Sequence, residues 1–447
     1  MAEKTILTVI LTMFFIGARA QDSVRMTMRE CVSYALAHSA EVRLQQADCR
    51  DAQIARREAI LRAFTPTVSG DAYAYSNFGR SIDPETNTYS TVTSFHNGYG
   101  LSAGITLFNG FQAVNNLKIT KIAEQSGLTK QQQIEDRLCL AVMEAYCNVL
   151  YYTELGNALR AQVNTAEKAM QSAQRQYDLG QKPYSDVLHT QAELSDRKYQ
   201  LTICSNHLND AYITLTDVML YDNQKVLSID MEWPDSMFGA TSSSNSDEAA
   251  RAMQAVARLP RVIIANGEYE TARIALKTAK WRLLPSLSLY GGWSSTYFTY
   301  PGKAGYVPAP YWRQIADNGG EYVQLSLSIP IYDRLSRQSE IARRRNEYDR
   351  AEARREQAQH EADAEVRRAI ADRDGAAEAL RQAEQHATLQ QELYALSTRQ
   401  FEQGLISAIE YQTVADNHLN ATAEYLHARL TYFMKCEVVR YYAGLIN

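Results

Sequence analysis

The chain has 447 residues, 45% of them hydrophobic and 22% charged, with a formal net charge of -5. So mild an acidic balance argues against a nucleic-acid partner, which calls for a basic face. Beyond residue 20 no apolar stretch approaches the roughly 20 residues that a transmembrane helix needs.

The first residues, "MAEKTILTVILTMFFIGARA", carry Lys4, an apolar run from Ile6 to Ile16, and Ala18 and Ala20 in A-x-A spacing. This is the pattern of a secretory signal peptide over 1–20, with Gln21 as the expected mature start. A helix is expected from Met28 to Arg62, closed by Pro66, because the residue before a proline is pushed out of the helical region. Strands follow at about 67–78 and 98–108, separated by the loop "SNFGRSIDPETNTYS". A proline-free helical run then extends from Gly110 to Asp178; at about 1.5 Å per residue it is roughly 100 Å long. Gly180 sits where a left-handed residue ends a helix, and a return helix is expected over Tyr184 to Met219.

The same order then repeats. After the polar joint "TSSSNSDE" come a helix over Asp247–Trp281, strands at about 286–298 and 321–331 around "YPGKAGYVPAP", a helical run from Arg334 to Glu402, Gly404, and a helix over Ala408–Tyr442. A shift of 224 places Leu101 on Leu325, Ile105 on Ile329, Phe108 on Tyr332, Tyr177 on Phe401, Gly180 on Gly404 and Asp186 on Glu410. A tandem duplication is therefore expected, with residues 21–240 as the first repeat and 241–447 as the second.

"YGLSAGITLFNGF" alternates strictly: Tyr99, Leu101, Ala103, Ile105 and Leu107 share one parity, and Gly100, Ser102, Gly104 and Thr106 the other. "LSLSIPIYD" repeats this with Leu325, Leu327 and Ile329 against Ser326 and Ser328. Such strands suit lipid on one side and water on the other. Four strands are too few to close without exposing edges to lipid, so several chains must complete the barrel. Tyr99, Leu101, Ile105, Leu107, Val323, Leu325, Leu327 and Ile329 are the expected lipid-facing set. Tyr73, Tyr75, Tyr99, Tyr290, Trp293, Tyr297, Phe298 and Tyr322 are candidates for an interfacial girdle.

The signal peptide, the paired strand-loop-strand units, the two helical hairpins with a glycine at each far turn, "FNGF" after the second strand and "YDLGQKPYSDVLHTQ" at the first tip together resemble the TolC-type outer-membrane efflux proteins. The resemblance spans the mature chain. It implies an α+β membrane protein in which a homotrimer closes one twelve-stranded transmembrane β-barrel, continued into the periplasm by a long antiparallel α-helical barrel. It also implies a periplasmic adaptor (membrane fusion) protein and an inner-membrane pump as partners, in efflux or type I secretion, with no cofactor, no metal and no catalysis. By resemblance the tips, Gly180, Gln181 and Lys182 with Gly404, Leu405 and Ile406, meet the adaptor. Asp186 and Glu410 would line the narrowest opening as carboxylate rings, which favour cations. "SAIE" at Ser407 to Glu410 is also a capping box, and Asp186 can serve a helix N-terminus; the two roles are compatible. Where some family members close the tube with an arginine and a tyrosine, this chain has Ile406 and Phe401. Arg175, Tyr177, Lys182 and Tyr184 are candidates for another closure.

Other readings have less in their favour. The chain lacks H-E-x-x-H, G-x-S-x-G, Walker and G-x-G-x-x-G patterns, and His189 with Glu193 suggests a surface i, i+4 pair. The six cysteines (Cys31, Cys49, Cys139, Cys147, Cys204 and Cys436) form no C-x-x-C pair and read as small buried thiols. The charge-rich run from Arg343 to Ala369 also fits a non-transporting periplasmic coiled-coil scaffold, which would have no use for the alternating strands. Nothing in the residues selects a cargo.

Overall fold

A computed structural model describes residues 24–82, 87–91, 93–222, 227–230, 242–303 and 305–445. The expected signal peptide lies outside them. By Cα packing the chain divides into a unit of Ala47–Leu128 with Ile264–Gln357, and a unit of the residues up to Gln46, Thr129–Ile263 and Ala358–Asn447.

The described residues begin with β1 (Val24–Met26) and α1 (Met28–His38). Thr27 caps α1: its Oγ accepts from the Glu30 N–H, and the Glu30 carboxylate accepts from the Thr27 N–H at 2.7 Å. The single helix expected over Met28–Arg62 is broken at Ser39, which leaves helical geometry at ψ 127°. The Ser39 Oγ instead accepts the Val42 N–H at 3.3 Å and starts α2 (Ala40–Phe64). The helix expected over Asp247–Trp281 is interrupted likewise. It divides into α5 (Ser242–Ala255), a 3-10 turn at Val256–Arg258 and α6 (Pro260–Trp281). Pro260 has no N–H and holds Leu259 extended at ψ 142°. From Ser242 onward the expected polar joint is the start of α5, not a linker.

Between these lie β2 (Thr67–Asn77), the small hairpin β3 (Arg80–Ile82) and β4 (Tyr89–Thr91), β5 (Ser94–Phe108), α3 (Gln112–Asp178), α4 (Tyr184–Met219) and β6 (Leu227–Ile229). After α6 come β7 (Ser286–Thr299), α7 (Tyr311–Asp317), β8 (Gly320–Ser328), α8 (Ser336–Glu402) and α9 (Ala408–Tyr442). Five elements escape sequence reading: β3 and β4 fall between the first pair of expected strands, α7 falls between the second pair, and β1 pairs in parallel with β6 through Val24 and Leu227.

In the first unit β2, β5, β7 and β8 form one antiparallel sheet in that order. At its helical end Gly110 turns β5 toward α3 with φ +65°, where a Cβ would lie 2.3 Å from the Trp281 carbonyl oxygen. Only glycine meets both conditions without displacement. No described helix is long and apolar enough to cross a membrane.

The second unit has its core where Val142, Tyr146, Val149 and Leu150 of α3 recur at helical spacing and meet Cys31, Leu215, Met219, Ile229 and Phe433. The Tyr146 hydroxyl donates to the Asp230 carbonyl at 2.6 Å. On α8 the buried positions Ala358, Ala362, Val366, Ala369 and Ala376 make a narrow seam of small side chains, which lets helices approach closely. Cys31 and Cys147 are buried thiols, and burial pushes each up to about 12.

Candidate channel elements: the two-faced sheet and the helical tips

The register of the sheet separates two faces. Leu101 stands opposite Trp293, Ala103 opposite Gly291 and Ile105 opposite Leu289, and Leu289 is opposite Leu325. With Val323, Leu327, Ala72 and Val68 these side chains form an apolar face. Ser102 lies between Ser69 and Gly292, and the Ser69 and Ser102 hydroxyls are 2.9 Å apart. That polar face also holds Asp71, Thr296, Gln324 and Ser326. Three of its glycines are covered by rings: a Cβ on Gly98 would meet Tyr73, one on Gly104 would meet Tyr290, and one on Gly292 would meet Tyr322, whereas one on Gly100 would meet the Asp71 carboxylate.

Three expectations change here. Tyr73, Tyr75, Tyr290, Tyr322 and Phe298 lie on the polar parity, so of the eight girdle candidates only Tyr99, Trp293 and Tyr297 share the apolar face. Leu107 falls in a bulge between Thr106 and Phe108, and Phe108 takes its place opposite Leu287. Ile329 lies beyond β8, which stops at Ser328 opposite Ser286, where Pro330 on this strand and Pro285 on its partner lack ladder donors. Among the described residues β2 and β8 are the sheet's outer strands.

In the other unit, α3 and α8 end alike. Gly180 has φ +70°; its N–H donates to the Tyr177 carbonyl at 2.8 Å, and the Gln181 N–H donates to the Gln176 carbonyl at 2.8 Å. At Gly404, with φ +72°, the N–H donates to Phe401 at 3.0 Å and the Leu405 N–H to Gln400 at 2.9 Å. This is one C-terminal motif used at both tips. Asp186 occupies the first turn of α4, whose cap, Pro183, makes no side-chain bond. Glu410 occupies the same turn of α9 and completes a capping box. Its Oε2 accepts from the Ser407 N–H at 3.0 Å and the Ser407 hydroxyl at 3.1 Å. Gln181 and Leu405 are exposed, and Lys182 and Ile406 half-buried.

The profile of the outer membrane efflux protein family matches residues 31–219 and 252–434. The chain belongs to that family. Its members are outer-membrane channels, not enzymes, that work with adaptor and pump partners and carry a periplasmic helical extension. No curated protein matches the chain in sequence. Among solved structures, the outer-membrane channel OprN superposes with TM-score 0.77 at 18% identity, covering 93% of this chain and 89% of that one. The outer membrane protein VceC from Vibrio cholerae gives 0.77 at 13%, covering 93% and 96%. The Campylobacter jejuni CmeC outer membrane channel gives 0.74 at 16%, covering 93% and 85%. At these identities the likeness shows the fold.

Two features of this family member's tip region are not legible in its motifs. The Lys182 Nζ lies 5.0 Å from the centre of the Phe401 ring, which stacks on Tyr411 at 4.8 Å. Ile406 packs against the same cluster of Ala169, Phe401 and Tyr411. A cation over a ring and an apolar contact thus join the two tips within one chain. Tyr177 meets Tyr184 at 5.3 Å within the first tip. Farther along, Glu193 is buried rather than paired with His189 at the surface. Its charged neighbour is Arg197, 3.8 Å away, which is 1% exposed and bonds Asp416 of α9. Burial raises the Glu193 carboxyl above its ordinary range, against the pull of Arg197.

Proposed function

We propose that this outer-membrane efflux channel works as a homotrimer, three four-stranded sheets closing one barrel and the helices forming the periplasmic duct. The open sheet with one apolar and one polar face supports this reading: unpaired edges in lipid are not viable, and copies of the same sheet supply partners for them. In that arrangement Leu101, Ile105, Val323, Leu325 and Leu327 meet lipid, and Ser102, Asp71 and Gln324 meet water. Residues 21–240 and 241–447 act as duplicated halves; the two matched segments and the shared tip geometry support that division.

The tips, Gly180, Gln181 and Lys182 with Gly404, Leu405 and Ile406, dock the periplasmic adaptor of an inner-membrane pump, in efflux or type I secretion. Exposed apolar side chains there, Leu179, Tyr184, Leu405 and Ile409, support a protein partner. Asp186 and Glu410, three copies of each, form the cation-selective constriction. Glu410→Gln removes the charge but keeps the capping box, since glutamine serves that motif as well as glutamate. The Asp186→Asn/Glu410→Gln protein is therefore expected to retain its trimeric mass by native mass spectrometry. In planar bilayers it is expected to lose cation preference. Unaltered selectivity in a conducting trimer would remove the two carboxylates from the constriction, and a monomeric mass for the wild-type protein would overturn the barrel.

A further inference from the structure

We propose that α7 is an outer-leaflet anchor: a strap folded onto the lipid-side face of the barrel that places Trp312 among the lipid headgroups. The proposal rests on the barrel reading above. β2 and β7 follow directly from the helices α2 and α6, so the loops at the other end of the strands, including the one with α7, belong to the extracellular side.

At that end the apolar face becomes polar, through Asn97, Ser295 and Tyr297, and these groups need partners before they can border lipid. α7 supplies them. The Ser295 hydroxyl donates to the Ile315 carbonyl at 2.6 Å, and the Tyr311 hydroxyl donates to Asn97 Oδ1 at 2.7 Å and lies 2.8 Å from the Tyr99 hydroxyl. The Tyr297 and Tyr311 rings meet at 4.7 Å. Tyr99, expected to face lipid, therefore lies against this strap.

α7 also replaces a strand. The β7–β8 ladder ends at the Ser294–Gly320 pair, leaving the next backbone groups of β7 without β8. The buried Gln314 takes them up: its amide accepts from the Phe298 N–H and donates to the Phe298 carbonyl, each at 3.1 Å. Asn318 donates to the Thr296 carbonyl at 2.6 Å. So fastened, α7 is held against the sheet, and what it presents outward includes Trp312, 76% exposed, and Arg313, which pairs with the exposed Asp317 one turn on at 3.5 Å. An amphipathic ring beside a guanidinium is the chemistry favoured at a phosphate-bearing lipid interface.

The spacing agrees. At the opposite end Phe108, Phe111 and Trp281 make a second aromatic cluster. From Tyr99 to Phe108 β5 advances about 31 Å, or about 23 Å along the normal at a tilt of ~40°, close to the ~25 Å apolar band of such barrels.

The test uses full-length protein reconstituted in phosphatidylcholine and phosphatidylglycerol vesicles, with lipids brominated at shallow or deep acyl positions. With Trp233→Phe, Trp281→Phe and Trp293→Phe, Trp312 is the remaining tryptophan. Its emission is expected to be lost to shallow-brominated lipid and much less to deep-brominated lipid. Adding Gln314→Ala, which unfastens the strap, is expected to shift that emission to the red and open it to aqueous iodide. A depth control replaces Trp312→Phe and adds Leu325→Trp, read for quenching by the deep bromines. Trp312 quenched only by iodide, with the control quenched by lipid, overturns the anchor and leaves the barrel standing. A control untouched by lipid overturns both.

Discussion

Leu325→Arg is expected to keep the protein out of the outer membrane, whereas Gln324→Arg, one residue earlier, is expected to leave insertion intact and reduce cation conductance. The difference comes from the alternation of the strand. Leu325 is opposite Leu289, which is opposite Ile105, so its side chain stands in the middle of the apolar face. Arginine there costs about 2–4 kcal/mol at mid-membrane depth, and a trimer repeats the penalty in each copy. Gln324 is opposite Tyr290 on the polar face, where arginine remains in water and adds positive charge to the bore. Membrane fractionation with folded-trimer electrophoresis reads the first effect, and planar-bilayer conductance the second. Equal insertion of both variants would mean that the apolar parity does not meet lipid.

What was legible in the sequence was what local chemistry decides. A glycine followed within three residues by a proline or the serine of a capping box marks a left-handed helix end, so Gly180 and Gly404 could be placed, unlike Gly127, Gly156 and Gly375, which lie within α3 and α8, and α4 and α9 fill the ranges read for them. Strand alternation is equally local and separates the two faces at Leu101 and Ser102. Interactions distant in sequence were not legible. β1 and β6 are three residues each, and their strand character comes from pairing across about 200 positions. Gln314 gives no sign in sequence that it stands in for a strand partner of Phe298. Ser39 and Pro260 did carry visible signals, a capping hydroxyl and a missing N–H, which the periodicity of the surrounding helices outweighed. Glu193 illustrates the same limit: its spacing from His189 suggested a surface pair, but α9 brings in Asp416 and covers that face of α4.

Arg197→Ala is expected to loosen the tip-ward part of the helical unit by about 3–5 kcal/mol, the usual cost of leaving a buried charge without its partner. Arg197 is 1% exposed and links Glu193 on its own helix to Asp416 on α9, with Gln200 accepting at 3.3 Å. Removing it leaves Glu193 buried beside Asp416. The pH dependence follows from the sign of the Glu193 shift. Its carboxyl is already raised in the fold by burial, and Arg197 is the group that lowers it. Without the guanidinium it rises further, so the folded variant takes up the proton that the unfolded chain releases. A raised carboxyl adds stability below its unfolded value and loses that stability as pH climbs through the folded value. The deficit in Arg197→Ala is therefore expected to be large near neutral pH and to shrink toward the ordinary carboxylate range. Glu193→Gln in the same chain should recover part of the loss near neutrality and flatten the pH dependence. Hydrogen exchange over α4 and the start of α9, followed at about pH 7.5 and about pH 5.5 after correction for intrinsic rates, reads both effects as local opening. Unchanged protection, or a deficit that grows on acidification, would show that the Arg197 charge does not hold the two hairpins together.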